Sequence, residues 1–141
     1  MIILKQVSQK NKKKVDSFNI KEWEKHNKEN NYLYKEKKFW FAAYYGKEIL
    51  GHVYGNTNGG VAYLDDLIVS KKYRNKGIGK ILLRKFEEIA KKRKCHVCLL
   101  STTDNHSAAI KFYKKNGYST EATLKDMYWH VNEYYMVKRL K

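Results

Sequence analysis

Apolar residues along this chain change period near residue 77, and the change separates two kinds of element. Before it, FWFAAYY (39–45), EILGHVYG (48–55) and AYLDDLIVS (62–70) read as strands of a meander. Gly46-Lys47-Glu48 and Asn56-Thr57-Asn58-Gly59-Gly60 supply the turns, the second rich in residues that accept positive φ. The run at 62–70 is mostly apolar, which predicts a central strand. From Gly77 to about Arg93 the spacing becomes helical, with Ile78, Ile81, Leu82, Phe86 and Ile89 on one stripe and charges opposite. HVCLLST (96–102) reads as a strand, and 105–116 as a helix stopped by Asn116-Gly117. Residues 118–124 and 134–140 close the pattern as strands. At the start, IILKQV (2–7) predicts a first strand, and Val15, Phe18, Ile20 and Trp23 a rough helical stripe over 13–30. The order β α β β β α β α β β predicts a mixed sheet with helices packed on it.

Composition adds limits. The 141 residues suit one domain, 1–141, and a hydrophobic content of 43% supplies a core. No apolar run approaches the ~18 residues of a membrane span, and the start lacks a secretory pattern, so a cytoplasmic protein with no membrane partner is expected. The net charge of +16 attracts polyanions such as nucleic acid, anionic lipid or a phosphorylated cofactor. Equally, it describes a lysine-rich, solvated surface, and the lysines recur from Lys5 to Lys141 with no basic arm. Cys95 and Cys98 form a lone C-x-x-C within a strand pattern. A zinc site needs about four ligands, so two buried thiols and no metal are expected.

The sharpest local signal is Tyr73-Arg74-Asn75-Lys76-Gly77-Ile78-Gly79-Lys80, where a strand ends and a helix begins. Helix-initial amides lack intrahelical acceptors and the helix dipole favours anions there. Two glycines let a ligand approach the backbone, and Arg74, Lys76 and Lys80 add charge at the rim. The combination predicts a diphosphate site. A P-loop would need Gly-x-x-x-x-Gly-Lys-Ser/Thr, and a dinucleotide fingerprint a third glycine.

Arg74-x-x-Gly77-x-Gly79 resembles the coenzyme A pyrophosphate loop of the GNAT acetyltransferase superfamily. Ala109-Ile110-Lys111-Phe112-Tyr113-Lys114-Lys115-Asn116-Gly117-Tyr118 is similar to that family's next conserved block, and residues 134–140 look like its last strand. The resemblance implies an α/β (α+β) fold: a mixed, mostly antiparallel sheet of six to seven strands with helices on both faces. It also implies transfer of the acetyl group of acetyl-CoA to a primary amine by direct attack. The loop from Arg74 through Asn75, Lys76, Gly77, Ile78 and Gly79 to Lys80 would hold the pyrophosphate. Leu67, Ile68 and Val69 would pair with the pantetheine arm as an added strand. Tyr113 matches the family's general acid. The family asparagine falls on His106 by count from Ala109, with Asn105 one residue early; Asn105 is the reading taken, His106 the alternative.

Chemistry sets further demands. An alkyl amine of pKa about 10.4 is mostly protonated at pH 7, so a base or water chain must take its proton. Asp65 and Asp66 are costly in an apolar strand unless paired or functional, and Tyr63-Leu64-Asp65-Asp66-Leu67 resembles the acceptor-facing strand of diamine and polyamine acetyltransferases. By match Asp65 takes the family's acidic position; alternatively both aspartates pair with surface lysines. Trp23, Tyr32 and His130 are candidate substrate-shaping residues. His26, His52 and His96 read as isolated structural hydrogen-bonders. The acceptor class stays open between a small cationic amine and a protein N-terminus or lysine. Rival classes are a basic nucleic-acid binder, disfavoured because no recognition motif is present, and a catalytically silent CoA-binding module. A homodimer is an open expectation.

Overall fold

The computed structural model describes residues 2–31 and 35–141, which fall into two units, 1–34 and 35–141. The first unit holds helix α1 (Gln9–Glu29), which starts four residues earlier than its apolar stripe suggests. Its end is closed by Asn30, whose backbone and side-chain amides both donate to the His26 carbonyl. The strand expected at 2–7 is absent; those residues carry no regular structure, and Ile2 and Leu4 are almost fully exposed. Three apolar residues followed by charges favour no extended state on their own, because a strand gains its stability from a partner.

The second unit contains six strands: β1 (Lys37–Tyr45), β2 (Glu48–Asn58), β3 (Val61–Val69), β4 (Val97–Thr103), β5 (Ser119–Leu124) and β6 (Glu133–Arg139). They form one sheet in the order β1-β2-β3-β4-β6-β5. All neighbours are antiparallel except β3 and β4. That parallel pair is joined by helix α2 (Ile78–Lys92), the crossover that parallel strands require. Helix α3 (Ser107–Lys115) follows β4, one turn shorter than the sequence pattern suggests.

Leu82, Leu83, Phe86 and Ala90 of α2 are buried, and with Phe39, Val53, Ala62, Leu64, Cys98, Leu100 and Met136 they make the core. Ile81, expected on this stripe, is instead exposed, because the buried face runs through positions 82, 83, 86 and 90. Phe86 stacks 5.8 Å from Phe39. The far end of α2 is pinned by Arg93, which donates to the Lys37 carbonyl (2.7 Å) and to the buried Thr57 hydroxyl (3.0 Å) while its guanidinium lies over Phe39. Cys95 and Cys98 are free and buried, and burial pushes the Cys98 thiol up to about 12.

Two irregularities interrupt the ladders of β3. Between β2 and β3 the register slips at Asp65, so that Leu64 opposes Gly55 while Asp66 opposes Tyr54. Between β3 and β4 the ladder covers only Val61–Leu64 against Val97–Leu100 and then stops. Truncating the fully buried Phe86 to alanine is expected to reduce unfolding free energy by about 3–5 kcal/mol, read from the urea midpoint of the whole chain.

Candidate active site

The opening between β3 and β4 is built from main chain. The Ser70 amide donates to the Leu50 carbonyl of β2 (2.9 Å). Peptide groups of successive residues in an antiparallel ladder alternate sides. Those of Leu67 and Val69 therefore point away from β2, into the space that β4 has left, whereas those of Ile68 face β2. One group is already used: Arg74 Nε donates to the Val69 carbonyl at 3.0 Å. The arginine expected as a rim charge thus also braces the strand end.

The turn begins directly beyond that strand end. A short 3-10 helix at Lys71–Tyr73 is tied back to β2 by Tyr73, whose hydroxyl donates to Glu48 at 2.6 Å, and by Lys72, 3.4 Å from the same carboxylate. The Tyr73 hydrogen bond, with help from Lys72, holds the Glu48 carboxyl below its usual range, and the same contacts raise the Lys72 ammonium. Asn75 and Gly77 then take left-handed φ of 59° and 81°. Gly77 occupies the N-cap of α2 with no side-chain cap, so the first amides of the helix stay free. A Cβ on Gly77 would meet no atom within 4 Å, which marks open space. Gly79 plays a second part: its Cα side is covered by Phe112 of α3 and Val69, at 3.4 and 3.7 Å from a built Cβ. Among the described residues, Arg74, Lys76 and Lys80 have no carboxylate partner. Free amides, open space and uncompensated cations fit a diphosphate.

Across the opening lies α3. Tyr113 is buried in the core cluster, between Phe112 (ring centroids 5.2 Å) and Tyr118 (5.7 Å). Burial first, and the negative charge of Asp66 second, push its phenol up to about 12. Asn105 lies in the preceding turn, where its side-chain oxygen accepts from Thr103 at 2.6 Å. His106 forms the N-cap of α3 with Nδ1 3.3 Å from the same hydroxyl.

The acidic pair sits at the mouth. Asp65 is the extra residue of the bulge and accepts from the Asn56 amide at 3.0 Å; Asp66 Oδ2 is 3.5 Å from His52 Nε2. Neither pairs with a lysine or arginine among the described residues, which removes the alternative read from the sequence. The surrounding face carries Trp40, Tyr54 and the Tyr63–Ser101 hydroxyl contact of 3.3 Å. Sequence reasoning missed Trp40, Tyr54 and Asn56 and set His52 aside. Their signal was the strict alternation of His52, Tyr54, Asn56 and Asn58 with Gly51, Val53, Gly55 and Thr57 along β2.

The remaining candidates make none of these contacts. His130 is exposed with φ 60°, and its partner is Asp126 at 2.8 Å. Trp23 lies on α1, half exposed and edge-on to His26. Tyr32 lies outside the described residues.

Comparison with known proteins agrees with this geometry. The sequence model described as "Acetyltransferase (GNAT) family" matches residues 9–118. Streptothricin acetyltransferase A of Bacillus subtilis is 34% identical over 100 residues, covering 69% of this chain and 57% of its own. The chain therefore spans little more than half the length of that relative. An acetyltransferase structure from Bacillus cereus superposes with a TM-score of 0.79 over 99% of this chain and 98% of the other, at 22% identity, which speaks for the fold. The PaiA N-acetyltransferase of Thermoplasma acidophilum, solved in complex with coenzyme A, is 26% identical with a TM-score of 0.64, over 81% and 65% of the two chains.

The raised Tyr113 phenol has a measurable consequence. An unfolded tyrosine ionises near about 10, so above that pH the unfolded chain releases a proton that the folded chain keeps until about 12. Stability is then full below pH ~10 and falls as pH rises toward ~12. Tyr113→Phe is expected to flatten part of that slope in urea unfolding at stepped pH, with Tyr118 and Cys98, also raised by burial, contributing to the remainder.

Proposed function

This chain belongs to the acetyltransferase (GNAT) family, and we propose that it is an acetyl-CoA-dependent N-acetyltransferase acting on a small cationic primary amine. The family match runs from 9 to 118, which supports reading 1–141 as a single catalytic domain. The observation that carries the proposal is the shared opening: unpaired peptide groups on β3, free amides at the head of α2, and a buried phenol on α3.

Bound there, acetyl-CoA supplies an activated thioester. The Asn75–Lys80 turn and the first amides of α2 would bind its pyrophosphate, with Lys76 and Lys80 adding charge. Leu67 and Val69 offer the main-chain donors and acceptors for the pantetheine arm. Asn105 would contact the cofactor from the turn before α3.

The acceptor side is anionic and aromatic. Asp65 and Asp66 have no lysine or arginine partner among the described residues, so they attract an ammonium group, and the exposed Trp40 ring, two strands away on the same face, suits a cation. Asp66, whose charge acts on the Tyr113 phenol, would accept the amine's proton directly or through water, the family-matched Asp65 lying one residue away in the bulge. Tyr113 keeps its proton at neutral pH and can hand it to the departing sulfur, whose thiol pKa is about 8.5. His130, in the loop before β6, would shape the acceptor side.

Acetyl-CoA at about 100 times its dissociation constant is expected to add ~2.7 kcal/mol of stability, seen as a rise in melting temperature. Lys76→Glu/Lys80→Glu should abolish most of that rise, and an unchanged rise would take the cofactor away from the α2 turn. Tyr113→Phe is expected to reduce turnover about 100-fold or more with acetyl-CoA affinity kept, assayed as thiol release over a panel of diamines, amino acids and peptide N-termini. Release with peptides alone would replace the small-amine acceptor by a protein one.

A further inference from the structure

The segment that leads into the α2 turn is anchored to the start of β2, 25 residues earlier in the chain. Glu48 opens β2, opposite Tyr45 across the tight turn at Gly46-Lys47. Both of its carboxylate oxygens are engaged. Oε2 accepts from the Tyr73 hydroxyl at 2.6 Å, and Oε1 from the Lys72 ammonium at 3.4 Å. A phenol donating to a carboxylate at the shorter distance makes a charge-assisted bond, stronger than a neutral one. The Tyr73 amide is held as well, donating to the Ser70 carbonyl at 2.8 Å. The Tyr73 ring in turn carries two ammonium groups, Lys72 at 4.9 Å and Lys76 at 5.4 Å from its centroid. Like charges drawn to one ring repel each other. Glu48 offsets the Lys72 charge, whereas Lys76 has no carboxylate partner among the described residues.

We propose that Tyr73 and Glu48 are positioning residues for the cofactor: they clamp the entry of the α2 turn to the β1–β2 hairpin and hold Lys76 ready for the pyrophosphate. This rests on the acetyltransferase reading and deepens it, adding two residues outside the 74–80 loop to the cofactor side. The physical need is local. Asn75 and Gly77 hold left-handed φ of 59° and 81°, a conformation that a free loop would share with many others. Ordering the loop on binding weakens affinity, and ordering it beforehand avoids that loss. Downstream the loop runs directly into α2, and upstream Arg74 is fixed to the Val69 carbonyl. The clamp fixes the residue before that arginine and sets its ring beside Lys76. Side-chain exposures of 49% for Glu48 and 71% for Lys72 put the clamp at the surface. A surface ion pair adds little to global stability, so the effect is expected at the turn rather than in the fold.

Three measurements on the whole chain separate the roles: acetyl-CoA affinity by calorimetry, kcat with acetyl-CoA saturating, and the urea midpoint. Tyr73→Phe keeps the ring and loses the hydroxyl. It is expected to weaken acetyl-CoA binding about 5-fold, with kcat and the urea midpoint as in the parent. Glu48→Ala also leaves the Lys72 charge without its counter-ion and should weaken binding about 10-fold. Glu48→Gln, which keeps an acceptor for the Tyr73 hydroxyl, should weaken it by less than the alanine variant. Adding Tyr73→Phe to Glu48→Ala should weaken binding no further, because the bond is already gone. An affinity indifferent to Tyr73→Phe, additive losses in the double variant, or a urea midpoint that falls in step with affinity would each overturn the clamp. A parent chain with no affinity for acetyl-CoA would instead sink the acetyltransferase reading, and the clamp's role with it.

Discussion

The rest of this structure depends on a hydrogen-bond ladder that ends early. β3 and β4 pair over four residues and then part. Where they pair, Ala62, Leu64, Cys98 and Leu100 share the core under α2. Where they part, the main chain of β3 has lost its neighbour but keeps β2 on its other side, so it stays straight while exposing donors and acceptors. Unpaired strand edges invite another strand. Here the invitation is narrow, and it ends at the head of a helix whose own amides are equally unpaired. A ligand with an extended polar arm and a double anion at one end satisfies both at once.

Charge is sorted with similar economy. The chain has 30 lysines and arginines against 14 acidic residues, yet several exposed carboxylates make no ion pair with a lysine or arginine among the described residues. Asp65 and Asp66 differ from these in standing side by side on β3, with Asn56 and His52 as their neighbours, while Glu48, Glu87, Glu88 and Glu121 are each matched by a lysine or arginine. Lys72 is held by Glu48, and among the described residues Lys76 and Lys80 of the turn have no carboxylate partner. The large net charge therefore says less about function than the local grouping of charges at the turn and on β3.

Most of the sheet and both later helices were legible because their periodicities are clean and their stops are glycine-rich. The α2 turn was legible because its residues are contiguous. The first strand misread at 2–7 shows the limit: a short apolar run carries no information about whether a partner exists. Ile81 shows another, since a helix stripe fixes its neighbours only to within a residue. The grouping of Trp40, His52 and Asp66 was illegible because its members lie on three strands, and their adjacency follows from register. Even the alternating polar face of β2 says only that one side is wet; what that side meets depends on a one-residue slip opposite Gly55.

That slip makes β3 sensitive to length rather than to composition. The two halves of the strand are rotated half a turn relative to each other, so Leu64 and Leu67 both face α2 although three positions separate them. Removing Asp65 would restore unbroken alternation, with Leu64 and Leu67 inward and Asp66 outward, whereas a second inserted residue would turn one half of the strand over. The extra residue therefore sets a second carboxylate beside Asp66 without moving either leucine out of the core.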